Sequence, residues 1–563
     1  MFQTKFADCV KLFNSGDIVN ASIKAKNLIS QYPDNYELNK FLGLVSAHSN
    51  NFDESLIFFN KCLGINNESP DIYFNLGLIY KKKGLLEDSE KNYRHAIKLN
   101  PNFLDTYINL GVVLEQQEKY SDCLNILEDF IKKDKNSYKA YFNLANIFAK
   151  LDRFDESIDN YNNALKINNN QAEIFFNLAL VLKKIGNYDD AIINYKKAIK
   201  LKPDYFKAYN NLGVIFSDLR KFSEALDFFE KALKINPDFL EAYYNESFIF
   251  LLQNKFIEGW KRYEFRWTLQ DQIKPFYNLN ENVWDGEFLN GTLLVWSEQG
   301  IGDHLFFGRM IQCLKDQAKK IVFTVDKRLI KLFKNYLSNL GVNNIEIIEH
   351  NKNNLLFNFD KHLPAGSLGK LFAKSDKEIL KFSKNNFVIN NNEDYEKIKK
   401  FLNNLKGFKI GLSWKSLNKN EQHRNIPLEK LVSILPNKNC NLINLQFGDV
   451  KDEISKVEKN FLIKIHSLKD IDNFNNIDEL SFLINSLDLI ITIQNTTAHL
   501  SLGFQKKTFV LLPTNSRWHW GVSGEQSIWY PAAQIFRQSK YNYWEDVLNN
   551  VKISLNKLFL SLL

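Results

Sequence analysis

The sequence predicts an α-solenoid followed by an α/β region of two parallel-sheet units, and three observations predict it. One small residue recurs every 34 positions through the first half, as Gly43, Gly77, Gly111, Ala145, Ala179, Gly213 and Ser247, with Cys9 one copy earlier. A second small position lies twelve residues on, as Ala21, Ser55, Ser89, Cys123, Ser157, Ala191, Ala225 and Gly259. From Thr292 onward the pattern changes to short apolar runs alternating with amphipathic stretches, the signature of strand–helix units in parallel sheets.

Each repeat contains two helices. A third small position holds Cys62, Ala96, Ala164, Ala198 and Ala232, and aromatic residues fall between as Phe59, Tyr93, Tyr161, Tyr195, Phe229 and Tyr263. Small residues let two helices approach and aromatic residues fill the remaining gaps, while Pro33, Pro101, Pro203 and Pro237 close several copies. These positions resemble the tetratricopeptide repeat. The last copy departs from the pattern, ending in Trp260, Arg266 and Trp267, which are expected to cap the array and dock it on the α/β region. The repeats are therefore assigned to 1–267, and a linker without periodicity, containing Pro275 and Phe276, to 268–283.

Strands are expected at 293–298, 321–325, 344–350 and 387–389, with helices around 304–317 and 328–340. A charged helix at 393–405 leads to a second series of strands at 409–414, 441–446, 489–494 and 507–513, with helices near 428–435, 477–487 and 496–503. The α/β region is divided into Rossmann-like units at 284–392 and 393–563, the second ending in an amphipathic helix from Trp544.

Composition narrows the function. A chain of 563 residues, 45% hydrophobic and 25% charged, is an ordinary soluble protein of two to four domains. No run of about 18 apolar residues is free of charge, and the N-terminus already reads as a repeat helix, so neither a membrane span nor a signal peptide is expected and the expected location is cytoplasmic. Cys9, Cys62 and Cys123 fill small packing positions, and Cys313 and Cys440 are isolated, so no metal site is expected. The net charge of +8 is modest and its lysines are scattered, which argues against a nucleic-acid partner.

Two candidate sites stand out. Two residues before the small position lie Asn75, Asn109, Asn143, Asn177, Asn211 and Asn245, in six consecutive repeats. Stacked carboxamides can pair with the backbone of an extended peptide, or they can bridge neighbouring helices of the array. In the α/β region, Gly300-Ile301-Gly302-Asp303-His304 comes directly after a strand and opens a helix, where a ligand can approach the backbone closely. Asp303 is either a general base for an acceptor hydroxyl or a helix cap.

The segments WSEQGIGDHLFFGRM, FDKHLPAGSLG, GLSWKS, HRNIPLEKL, LQFGD, TIQNTTAHLSLGF, RWHW and WYPAAQIFRQ, in this order over about 284–550, are similar to the heptosyltransferase-like glycosyltransferase domain. Behind a repeat array, the arrangement resembles the protein O-linked N-acetylglucosamine transferases, which carry a comparable asparagine ladder. The resemblance implies the GT-B fold of two Rossmann-like units, a nucleotide sugar as co-substrate and an acceptor loop of Gly300, Gly302 and His304 with Asp303 as base. It also implies metal-independent, inverting transfer with no cofactor. The acceptor is then a protein or peptide on the repeats, or a surface glycan. On the donor side the amides of Thr496 and Thr497 open a helix that can hold a diphosphate, with His499 one turn in as a further donor or as a packing residue. Lys415 and Arg424 can neutralise phosphate or remain surface charges. Trp518, Trp520 and Trp529 can stack on a base or sugar, or pack in a core. One departure stands against catalysis and favours a non-catalytic scaffold: Gln494-Asn495 replaces the family's Asp followed by Ser or Thr, although both residues remain candidate donor-binding residues, able to hydrogen-bond a ribose or phosphate.

Overall fold

A computed structural model describes residues 2–268, 281–298, 300–351, 358–389, 395–416, 419–436, 439–468 and 475–561. The chain forms two compact units, Met1–Ala208 and Tyr209–Leu563.

The first unit is built of repeat helices, from Phe2–Asn14 to Tyr188–Leu201, each packed against its chain neighbour. The periodic small residues have a steric cause. A Cβ on Gly43 would stand 2.6 Å from the ring of Phe59, and one on Gly77 2.6 Å from Tyr93, so each aromatic ring seats directly on a bare backbone. The second small position also bonds: the hydroxyls of Ser55, Ser89 and Ser157 donate to the carbonyls of Gly43, Gly77 and Ala145 at 2.7–2.8 Å. Cys123 donates its thiol to Gly111 O at 3.2 Å in the same way, as a serine substitute. Between the two helices of each copy the chain turns through the left-handed region, at Asn50, Gly84, Glu118, Asp152 and Gly186. Gly and Asn adopt that conformation at low cost, whereas Glu118 and Asp152 hold it only because the flanking helices are fixed by packing.

The second unit starts with the last repeat helices, ending at Phe256–Tyr263 and a 3₁₀ turn at Glu264–Thr268. A Cβ on Gly213 would stand 2.5 Å from Phe229, continuing the pattern of the first unit. Then come, among the described residues, ten strands: β1 (Leu289–Trp296), β2 (Ala318–Val325), β3 (Ile345–Glu349), β4 (Lys361–Pro364), β5 (Phe408–Ser413), β6 (Cys440–Asn444), β7 (Ile465–His466), β8 (Leu489–Ile493), β9 (Thr508–Leu512) and β10 (Ala533–Arg537). They form two sheets, ordered β3-β2-β1-β4 and β10-β9-β8-β5-β6-β7, and every pairing is parallel. In each sheet the chain winds outward from its first strand and then returns to that strand's other side. The strand order therefore reverses between β1 and β4 and between β5 and β8, and ligands of open α/β sheets bind at the carboxyl ends of the strands at such points.

The last repeat docks on these sheets, as its tryptophans suggested. Trp260 is 1% exposed, its indole N–H donates to Ala373 O at 2.8 Å, and its ring meets Trp518 edge-on at 5.2 Å. Trp518, Trp520 and Trp529 are all buried, so the packing alternative holds for them.

Three expectations need correction. Residues 387–389 form no strand, because Phe387 N–H bonds Gly503 O at 2.8 Å and its ring fills the space over Gly503, leaving no ladder to join. The helix expected over 304–317 runs only from Ile301 to Gly308, where the missing side chain admits the ring of Phe333, and Ile311–Leu314 continues as a 3₁₀ turn. Strands β4, β7 and β10 were not anticipated: β7 has two residues, β4 ends in a proline, and β10 carries polar residues at Gln534 and Arg537. Most of the expected linker, 269–280, and the first two residues of the expected helix at 393–405 lie outside the described residues.

Candidate functional site

The two reversal points carry the two loops singled out from the sequence. After β1, Gly300 is the N-cap of the helix Ile301–Gly308 and Asp303 is its third residue, half-buried, with Oδ2 accepting from Gly300 N–H at 3.4 Å. Gln299 lies outside the described residues. His304 is buried, and its Nδ1 accepts from the amide of Asp326 at 3.1 Å, so it braces the loop after β2.

At the second reversal point, Asn495 is the N-cap of the helix Thr496–Gly503. Its Oδ1 accepts from Thr492 Oγ1 (3.0 Å) and Ala498 N–H (3.3 Å), while its Nδ2 donates to Ser413 Oγ at the end of β5 (2.8 Å). The carboxamide thus ties β5 to β8. An aspartate could cap the helix but could not make the bond to Ser413 as a donor, which gives Asn a structural reason here. Thr497 Oγ1 reaches the same Ser413 hydroxyl at 3.4 Å. Thr496 and Thr497 occupy the first turn, where amides have no intrahelical partner and the helix dipole is positive. Lys415 is otherwise engaged: its ammonium donates to Glu453 Oε2 at 2.7 Å, and Trp414 Nε1 donates to the other oxygen of that carboxylate at 2.9 Å.

The loops meet through His499 and Gly302. A Cβ on Gly302 would stand 3.3 Å from the imidazole, a contact tight enough to push the ring by a few tenths of an ångström. His499 is buried and its Nδ1 lies 2.7 Å from the Tyr530 hydroxyl. Burial first, then the nearby Arg517 and Arg309 cations, push its pKa down to about 3, and burial pushes the Tyr530 phenol up. The ring is therefore neutral, and with Tyr530 O–H as the donor to Nδ1 its one N–H lies on Nε2.

Around the carboxyl ends of β8, β9 and β10, eight buried polar atoms find no protein partner among the described residues: Gln494 Nε2, Thr514 Oγ1, Asn515 Oδ1, Ser516 Oγ, His519 Nε2, Trp520 Nε1, Arg537 Nη1 and Gln538 Nε2. Buried polar atoms of this kind are ordinarily satisfied by water or a ligand, and these lie at the strand ends where open α/β sheets take ligands. Gln494 Oε1 accepts from Arg517 N–H at 3.0 Å. Thr514 also lines a cavity of about 280 Å³ with Arg424, Asn515 and Ser516 on one wall and Asn245 and Phe248 of the last repeats on the other. A larger groove, about 1110 Å³, opens at the carboxyl ends of β6 and β7 between Gln446–Val450 and Lys464–Leu468. Sequence reasoning missed Thr514, His519 and Gln538 as site residues. The available signal was the polar run Thr-Asn-Ser directly after an apolar strand. Among the described residues, no group of three or more His, Cys, Asp or Glu side chains is placed to hold a metal ion.

All six ladder asparagines are half-buried. Asn75 and Asn109 donate to the carbonyls four residues back, Asp71 and Asp105, at 2.7 and 2.9 Å. Bridges to the adjacent copy also occur: Lys81 Nζ donates to Asn109 Oδ1 (3.2 Å) and Asn177 Nδ2 to Asn146 Oδ1 (3.1 Å), and in the second unit Asn245 Nδ2 donates to Asn210 Oδ1 (3.0 Å). Each of these bonds uses only part of a carboxamide's capacity of two donors and an acceptor.

The tetratricopeptide repeat family matches residues 70–103 and 206–239, and a related repeat family matches 145–186 and 182–220. The N-terminal half carries tetratricopeptide repeats. Such arrays present extended surfaces to other proteins, so protein interaction is the coarse function of this half. Protein FlbA of Caulobacter vibrioides is 26% identical over 313 residues, covering 53% of this chain and 52% of that protein. The chain thus spans about half the length of the curated relative it matches. Among solved structures, MamA is 28% identical with a TM-score of 0.28, covering 29% of this chain and 95% of MamA. A tetratricopeptide repeat protein from Parabacteroides merdae is 18% identical with a TM-score of 0.37, covering 44% of this chain and 97% of its own. No described helix is long and apolar enough to cross a membrane.

Proposed function

We propose that the chain is a glycosyltransferase, with its two parallel sheets as the halves of a GT-B fold, moving a sugar from a nucleotide-sugar donor to a protein or peptide acceptor bound by the repeats. The observation that supports this reading is the meeting of the two reversal-point loops, Gly302 against His499, which brings the helix bearing Asp303 beside the helix Thr496–Gly503. Asp303 takes the proton of the acceptor hydroxyl as that oxygen attacks the sugar's anomeric carbon. The first-turn amides of Thr496 and Thr497 and the Nε2–H of His499 receive the charge of the departing nucleoside diphosphate, with Arg424 as the nearby cation. The unpartnered atoms at the ends of β8–β10 belong to carboxamides, hydroxyls, an imidazole, an indole and the Arg537 guanidinium, a set able to hydrogen-bond a polar ligand. The groove at β6 and β7 is large enough for a nucleoside. A cytoplasmic location belongs to the same reading.

A second reading, a protein-binding scaffold without turnover, is favoured by two specific contacts. Lys415 is committed to Glu453, and Asn495 spends its carboxamide on the link between β5 and β8. A panel of nucleotide sugars separates the two readings. A bound donor at one hundred times its dissociation constant should stabilise the fold by about 2.7 kcal/mol, and turnover should release nucleoside diphosphate. A melting transition unmoved by every nucleotide sugar would leave the scaffold.

The repeats supply another expected result. Changing Asn75, Asn109, Asn143 and Asn177 together to Ala should remove several hydrogen bonds to an acceptor backbone, each worth about 0.5–1.5 kcal/mol, while any single change is nearly silent. Equal acceptor binding by a fourfold variant with full helical content would show the ladder to be internal bracing only.

A further inference from the structure

The reversal point of the first sheet is filled by a side chain from the last repeat. Arg266, on the turn Glu264–Thr268, is 0% exposed. Its Nε and Nη2 donate to the two oxygens of Glu298 at 2.7 and 2.9 Å, and Nη2 also donates to Ser367 Oγ at 2.9 Å. Nη1 donates to Glu264 Oε1 at 2.7 Å, and the guanidinium carbon lies 4.9 and 4.3 Å from the rings of Tyr263 and Trp267. Glu298 stands two residues past β1 and Ser367 three past β4. Gly366, beside Ser367, donates its amide to Glu298 Oε1 at 2.6 Å, and a Cβ there would come within 2.7 Å of that oxygen. The fork therefore clamps the loops leaving β1 and β4 to each other and to the repeat array.

A buried ion pair is weak evidence for stability, because desolvation offsets much of the attraction. A bidentate guanidinium–carboxylate pair does supply direction, since two parallel bonds fix the plane of the carboxylate. Glu298 is five residues before Asp303, and the helix bearing Asp303 starts at Ile301. We propose that Arg266 is a positioning residue: by holding Glu298 it fixes the Gly300–Asp303 loop, so that the end of the repeat array sets the aim of Asp303. The proposal rests on the transferase reading for its catalytic consequence, but the placement of the loop can be tested without it.

The experiment compares the full-length wild type with two variants. Arg266→Lys keeps the charge and loses the fork. The double variant R266M/E298L replaces the pair by apolar groups of similar length and keeps the core filled. Hydrogen–deuterium exchange of the amides from Gly300 to Gly308 is measured, together with kcat and KM for the nucleotide sugar that the wild type consumes fastest in the panel. The expected result is faster exchange in that segment in both variants, with protection elsewhere in the second unit retained. Alongside it, kcat should fall about 10- to 100-fold and KM stay within about 2-fold, the signature of a small misplacement of a reacting group. Wild-type exchange at 300–308 in both variants overturns the proposal whatever happens to turnover. Faster exchange there in a protein that consumes no nucleotide sugar supports the clamp and removes only the transferase reading.

Discussion

An Asp303→Asn variant is expected to transfer sugar at least about 10²-fold more slowly than the wild type while binding the donor equally well. Asparagine keeps the size of the side chain and an oxygen for the Gly300 amide, 3.4 Å away in the wild type, so the start of the helix Ile301–Gly308 should be undisturbed. Only basicity is removed. If Asp303 served solely to bond the Gly300 amide from the third helical position, the same variant would lose at most about 0.3–1 kcal/mol of first-turn charge stabilisation and keep its turnover. Nucleoside-diphosphate release and the melting transition, measured on one preparation, therefore separate the two roles. Undiminished release by the Asn variant would remove Asp303 from the chemistry.

The legible parts of the fold were those with strict spacing. The repeats could be counted because most copies seat an aromatic ring on a small residue sixteen positions earlier, as Tyr93 does on Gly77, with Leu127 taking the ring's place over Gly111. The helix expected at 496–503 is found at those residues because a polar N-cap and a run of small and apolar residues mark both ends. Strand β7 was hidden because two residues carry no periodicity, and 387–389 looked like a strand because an apolar triplet does not say whether it joins a ladder or plugs a hole over Gly503.

The site was legible in outline and opaque in detail. Its two loops could be placed because each leaves a strand and opens a helix. Their contact through Gly302 and His499 depends on how two sheets face each other, which no local pattern encodes. Lys415 shows the same limit: its position after β5 suggested a phosphate partner, yet Glu453, thirty-eight residues away in the chain, takes its charge. In the departure at Gln494-Asn495, Gln494 stands where the family carries Asp and accepts from the Arg517 amide, while Asn495 stands where it carries Ser or Thr and donates to Ser413. The capping part of its role was available from the sequence, but the link between β5 and β8 was not.

Replacing Trp260 by Ala is expected to have the largest effect on stability of any single change considered. Its indole is 1% exposed, and its ring lies 5.2 Å from Trp518 and 5.5 Å from Tyr263, edge-on to both. A Cβ on Gly369 would stand 2.3 Å from it, so the fit on that side leaves no slack. Truncating a buried Trp to Ala costs about 3–5 kcal/mol, and the carbonyl of Ala373, deprived of the indole N–H at 2.8 Å, adds about 1–3 kcal/mol if water cannot reach it. Set against a typical total of about 5–15 kcal/mol, that loss is enough to leave the second unit marginal. The protein offers a selective probe for the measurement. All nine of its tryptophans lie at Trp260 or later, so their fluorescence reports the unit Tyr209–Leu563 and is blind to Met1–Ala208. Urea unfolding monitored by tryptophan fluorescence should show a much earlier midpoint for Trp260→Ala and a small shift for Trp260→Phe, which retains a ring in the socket. Helicity lost with the first unit, read by circular dichroism, should keep its wild-type midpoint, because every contact cited for Trp260 is made inside the second unit. An unshifted fluorescence midpoint in the Ala variant would mean that the Trp260 socket does not hold the last repeat on the sheets, and the clamp at Arg266, the bond from Arg220 to Val522 O and the packing of Phe256 on Trp529 would then carry that role.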